Sequence, residues 1–174
     1  MKHTRKTAWD DVGTYARHHV TEDLDVEVAV IGGGLTGILT AYELARAGRN
    51  VAVFDANRLG EGVTRYTTAF LAQDIDTDLS DLVSMFGKAA ARRVWQSHAR
   101  AIDRIEEIIK REKIDCDFKR CPLYVYANEA DDLKLLADEK ASADELGFDT
   151  AFRKAKTSFT DYGYWEIKRQ AKFH

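Results

Sequence analysis

Three glycines and one carboxylate carry the chemistry most legible in this chain. In VAVIGGGLTGILTAYELARAGRNVAVFDA, Val28 to Ala56, they fall as Gly32-x-Gly34-x-x-Gly37 with Asp55 further on. A glycine inside a regular element costs roughly 0.5–1 kcal/mol relative to alanine, so this crowding calls for a task that bare backbone performs. The spacing suits a dinucleotide. Gly32 permits a tight turn, Gly34 lets a pyrophosphate approach backbone amides at the positive end of a helix, and Gly37 lets that helix lie close against a strand. Asp55 is placed to accept hydrogen bonds from ribose hydroxyls, and its charge disfavours the 2′-phosphate of NADP.

Such residues work only if secondary structure holds them. Asp25 to Ile31 is β-branched and almost wholly apolar, the pattern of a strand buried on both faces of a parallel sheet. A helix is expected from about Leu35 to Ala47, with Ile38, Tyr42 and Ala45 on one stripe and Gly48 just past its end. Asn50 to Ala56 supplies a second buried strand ending near Asp55. The result is a βαβ unit with the glycines at its strand-to-helix turn.

The fingerprint binds the ADP half that FAD and NAD share, so it does not separate them. The next segment, Asn57 to Phe70, holds two glycines and three threonines, Thr64, Thr67 and Thr68, and does not enter a helix at once. A loop of this kind offers hydroxyls and amides to a longer cofactor. A nicotinamide enzyme instead calls for a third strand and helix soon after Asp55.

From Val28 to Phe70 the sequence resembles the start of the FAD-dependent oxidoreductases of the D-amino-acid oxidase and glycine oxidase superfamily, and the likeness continues more loosely through DFKRCPLYVYA and RQAKFH. The resemblance implies FAD as cofactor, with Gly32, Gly34 and Gly37 at the pyrophosphate, Asp55 at the ribose, and Thr64, Thr67 and Thr68 near the flavin's phosphate and ring end. With the neighbouring Leu35, Thr36, Ala56, Asn57 and Gly62 these make up the expected cofactor-binding set. The sequence departs from the family at Arg65 and Tyr66, where a glycine and then an arginine are usual; bulk at Arg65 narrows the approach to the flavin. Some members carry a C-terminal Rieske domain, which needs Cys-x-His and Cys-x-x-His pairs, and this chain has neither.

Beyond Phe70 the pattern becomes helical. Two helices are expected, with Ser80 a possible N-cap of the first. The second runs from about Lys88 to Lys113 with Val94, His98, Ile102, Ile105 and Ile109 on one face, a stripe better suited to packing than to chemistry. Pro122 to Ala127 alternates as a strand, a charged amphipathic helix ends at Gly147, and GYWEIKRQAKF reads as another strand. Tyr124, Tyr126, Tyr162 and Tyr164 are aromatic candidates for substrate contact, although aromatics at strand spacing usually pack. No residue is singled out as catalytic.

Composition bounds the partners. The net charge of −3 gives no basic surface for nucleic acid, and no apolar run approaches the ~20 residues of a membrane span. The cytoplasm is the expected location. Cys116 and Cys121 lack a second Cys or His pair nearby and read as structural thiols rather than a zinc set, so no metal is expected.

The expected fold class is therefore α/β: a Rossmann-like FAD-binding βαβ domain followed by the start of an α+β substrate lobe, incomplete as it stands. The expected division is an arm over 1–24, the FAD-binding region with inserted helices over 25–120, and a partial substrate lobe over 121–174. The resemblance implies an N-terminal portion of an enzyme that oxidises a small amine or amino acid by hydride transfer to flavin. An NAD-binding dehydrogenase and a non-catalytic truncated fragment are the alternatives.

Overall fold

The computed structural model describes residues 19–173; most of the expected N-terminal arm lies outside them. Contacts divide the chain into two compact units, one ending at Thr68 and the other starting at Ala69. The sequence reading put the passage between lobes at residue 120. Phe70, just past Thr68, already pairs within the second unit, with Lys172 at its far end.

In the first unit β1 (Val28–Ile31) and β2 (Val51–Phe54) form a parallel pair in register from Val28↔Val51 to Ile31↔Phe54, connected by α1 (Leu35–Arg46). Glu27 fastens the base of the unit: its carboxylate accepts the Asn50 amide at 2.7 Å, while the Glu27 and Val28 amides both donate to the Asn50 carbonyl. Gly48 ends α1 at φ +80°, a conformation that favours glycine over any side chain. A short 3-10 helix (Val63–Tyr66) closes the unit.

The first strand is shorter than expected and is not buried on both faces. Its residues alternate between half-buried and exposed, and Ile31 is 81% exposed. Among the described residues β1 and β2 pair only with each other, so the apolar run lacks the flanking strands of a larger parallel sheet.

The second unit is an antiparallel sheet covered by helices. β6 (Tyr164–Lys172) is central; β4 (Lys119–Tyr126) runs along one side, while β3 (Phe70–Leu71) and β5 (Thr150–Arg153) pair with opposite ends of the other. α2 (Leu79–Phe86), α3 (Lys88–Glu112) and α4 (Asp132–Glu145) supply most of the remaining structure. The core gathers Leu79 and Leu82 from α2, Ala91 and Trp95 from α3, Leu136 and Ala143 from α4, and Trp165 and Ile167 from β6. Trp95 stacks on Trp165 with ring centroids 5.8 Å apart. An indole pair of this kind adds to the burial of two of the largest side chains in the core.

Two helical details differ from the sequence reading. The fully buried residues of α3 are Ala91, Trp95, Ile102 and Ile108; Ile102 lies on the expected stripe, whose other members Val94, His98, Ile105 and Ile109 are half-buried, Val94 packing against the core. Ser80 does not cap α2 either. Asp78 holds the N-cap position without a side-chain bond, and the buried Glu139 of α4 accepts the Leu79 amide at 2.7 Å and the Ser80 amide at 3.0 Å. A carboxylate brought from another helix thus satisfies the amides that a local hydroxyl usually serves.

Candidate functional site

The strand-to-helix turn of the first unit is built almost wholly from backbone. Gly32 takes φ +101°, which strains any side-chain-bearing residue, and its amide extends the ladder by donating to the Phe54 carbonyl at 2.7 Å. Gly37 sits one turn into α1, where a Cβ would fall 1.8 Å from the Gly32 carbonyl oxygen. Helix and turn approach as closely as they do only because that atom is missing.

Gly34 is different. Its backbone, φ −76° and ψ −177°, is open to any residue, and an added Cβ would meet only the Thr64 hydroxyl, at 3.3 Å. Neither conformation nor crowding within the described chain demands glycine there. What a Cβ would fill is the space in front of the first turn of α1, where helix amides point outward. The Leu35 amide donates to Thr64 Oγ1 at 3.0 Å, whereas those of Thr36 and Gly37 have no acceptor among the described residues. Unpaired first-turn amides at the positive end of a helix make a site for an anion.

Asp55, just past β2, closes the other side. Oδ2 accepts the Gly33 amide at 2.6 Å and Oδ1 accepts the Asn57 amide at 2.7 Å. These two bonds, that from Gly33 first, hold the carboxyl below the usual carboxylate range. Each oxygen keeps a second lone pair, and the side chain is exposed, so the carboxylate can accept further hydroxyl donors.

The structure brings Gly32, Gly34, Leu35, Thr36, Gly37, Asp55, Asn57 and Thr64 into one continuous turn. Ala56 lies exposed between Asp55 and Asn57. Gly62 precedes the 3-10 helix and its carbonyl accepts the Arg65 amide. Thr67 and Thr68 follow that helix on exposed chain, the Thr67 amide donating to the Thr64 carbonyl. Gly33 was absent from the sequence-based set. It clamps Asp55, and a Cβ there would meet Leu59 Cδ2, the end of an exposed side chain that would have to swing aside. The signal was present as the middle glycine of an unbroken run of three, which the G-x-G-x-x-G template skips.

In the second unit three of the four candidate tyrosines come together. Tyr124, Tyr126 and Tyr164 surround Phe159 with ring centroids 5.6–5.9 Å from it. Tyr162 stays outside that cluster, on an exposed turn held through its amide by Thr160 Oγ1. Cys116 and Cys121 are free, half-exposed thiols, and among the described residues no group of three or more His, Cys, Asp or Glu is arranged to hold a metal ion. No helix among them is long and apolar enough to cross a membrane.

Residues 27–160 match the family model described as "DAO: FAD dependent oxidoreductase". Over 128 residues the chain is 33% identical to YhfW of Bacillus subtilis (strain 168), whose name describes a Rieske 2Fe-2S iron-sulfur protein; the match covers 74% of this chain and 25% of that one. Over 128 residues it is 31% identical to gamma-glutamylputrescine oxidoreductase of Escherichia coli (strain K12), covering 74% of this chain and 30% of the relative. The fold is similar to that of glycine oxidase from Geobacillus kaustophilus, with a TM-score of 0.62 at 19% identity over 85% of this chain and 40% of that structure. The chain thus spans a third or less of these curated relatives, and two-fifths of the solved structure.

Proposed function

This chain belongs to the DAO family of FAD dependent oxidoreductases, and on that footing we propose that its first unit holds the ADP half of FAD in a protein that oxidises an amine or amino acid. Support comes above all from Gly34, where glycine is required neither by backbone conformation nor by the surrounding chain. In this reading the amides of Thr36 and Gly37 face the pyrophosphate. Asp55, oriented by the Gly33 and Asn57 amides, accepts the ribose hydroxyls, with Ala56 and Asn57 beside it. Thr64 exchanges its bond to the Leu35 amide for one that a phosphate oxygen shares, while Gly62, Thr67 and Thr68 lie toward the flavin.

The flavin, when bound, supplies the two-electron acceptor for hydride from the substrate C–H. The protein's own part here is to orient and hold: fixed amides meet the anionic linker, and a carboxylate kept ionised meets neutral hydroxyls. A nicotinamide enzyme calls for a third parallel strand and helix soon after Asp55; among the described residues a 3-10 helix and an antiparallel strand stand there instead. The two free thiols accord with a reducing compartment, and we place the protein in the cytoplasm.

The test is the visible spectrum of the purified chain after incubation with FAD and removal of unbound cofactor. A retained flavin band with two maxima, lost on adding excess ADP, is the expected result. A folded but colourless protein would overturn the proposal that these residues hold the cofactor.

A further inference from the structure

Strand alternation in the second unit sends Trp165 and Ile167 of β6 into the core beneath the helices and leaves Tyr164 and Glu166 on the opposite face. Tyr126 lies directly across from Tyr164, and Tyr124 directly across from Glu166. The rings on this face do not serve the core: Tyr124 is 41%, Tyr126 47% and Phe159 42% exposed. They nevertheless keep an ordered arrangement, Tyr124 meeting Tyr164 edge-on at 5.3 Å and Phe159 at 5.6 Å.

Glu166 sets the chemistry of that face. It is half-buried, flanked by Tyr124 on β4 and Ala151 on β5, and makes no hydrogen bond or ion pair among the described residues. Arg153, level with Tyr164 one pair along, is the neighbouring cation and does not pair with it. The negative charge of Glu166, second to burial, pushes the Tyr124 hydroxyl up from its ordinary value. A carboxylate without a partner keeps its lone pairs open to a cation, and the electron-rich faces around it attract positive charge as well. A metal ion would need more oxygen ligands than one carboxylate. An organic ammonium satisfies both the carboxylate and the rings.

Beside the aromatic cluster lies a groove of about 240 Å³ whose walls, among them Phe70, Leu71, Pro122 and Leu123, are almost wholly apolar. It has room for a hydrocarbon chain and little to bind a second polar group. We propose that the Tyr124–Phe159–Tyr164–Glu166 face recognises the ammonium group of an amine carrying an apolar chain, which rests on the amine-oxidising reading above and narrows its substrate class to amines with a hydrocarbon substituent.

The test titrates the full chain with butylammonium chloride, following ring resonances of Tyr124 and Tyr164 by NMR, with 1-butanol and sodium butyrate at equal ionic strength as uncharged and anionic controls. Saturable binding of butylammonium is expected, at least about tenfold tighter than either control, with Glu166→Gln and Phe159→Leu each weakening it about five- to tenfold. Equal binding of 1-butanol, an unchanged affinity in Glu166→Gln, or no saturation in a chain folded by circular dichroism would overturn the proposal. FAD retention measured on the same samples separates the two readings: retained flavin without ammonium binding defeats this one alone, and ammonium binding without flavin defeats the cofactor assignment alone.

Discussion

The Gly33 amide donates a 2.6 Å hydrogen bond to Asp55 Oδ2, tying the middle of the glycine turn to the residue just past the second strand. Asp55 therefore does more than present a charge: it fixes the shape of the turn, and the turn in turn keeps the charge in place.

Replacing Asp55 with asparagine removes the charge and offers an N–H₂ group where one oxygen now accepts. FAD affinity should fall about tenfold while the chain stays folded, measured by titration with flavin fluorescence. The pH dependence has a definite sign. The folded carboxyl lies below its ordinary 3.8, so its contribution is complete above 3.8 and is lost as the pH falls through the lower, folded value. The loss of flavin affinity from this group should have its midpoint below 3.8, the affinity holding as the pH falls from neutral toward that value. An early loss that disappears in Asp55→Asn would contradict the clamp.

Gly37→Ala tests the packing of α1 directly. Its Cβ would meet the Gly32 carbonyl oxygen at 1.8 Å, a backbone atom that cannot swing aside. The first unit should lose about 3 kcal/mol, read from urea unfolding. Gly34→Ala, facing only the Thr64 hydroxyl, should cost far less stability.

For the second unit, Glu139→Ala leaves the buried Leu79 amide and the neighbouring Ser80 amide without their acceptor. A loss of about 3 kcal/mol is expected, whereas Ser80→Ala should change stability by less than about 0.5 kcal/mol. Equal effects would return the cap to Ser80.

These two sites mark how far the sequence was legible. The βαβ unit could be read because its signals are local: glycines, a helical run and a terminal acid within one short stretch. The boundaries of α3 and the stop of α4 before Gly147 were readable for the same reason. The cap of α2 was not, since Glu139 lies far along the chain and reaches it only through the packing of α4. Nor was the central place of β6, which is set by pairing with three strands drawn from across the second unit. Gly33 was missed because the template names alternate glycines, and only the fold shows the carboxylate that the middle one holds.

Asp74 carries a prediction of opposite sign. Burial, reinforced by the charges of Asp76, Asp78 and Glu139 and partly opposed by the Ile75 amide, raises its carboxyl above 3.8. The folded state thus favours the protonated form: its contribution is full below 3.8 and is lost as the pH rises through the folded value. Asp74→Asn, which keeps an acceptor for Ile75, should raise Tm at pH 7, with the gain shrinking as the pH is lowered toward 3.8. A destabilised variant at pH 7 would show that the charge is satisfied in the fold.

The claim that bare backbone at Gly34 makes room for the cofactor's pyrophosphate is tested most directly by comparing FAD binding in the unaltered chain and in Gly34→Val, both checked for fold by circular dichroism. The account predicts saturable binding by the unaltered chain, competed by ADP and not by FMN, and its loss in a folded Gly34→Val. Undiminished binding in the variant would contradict it.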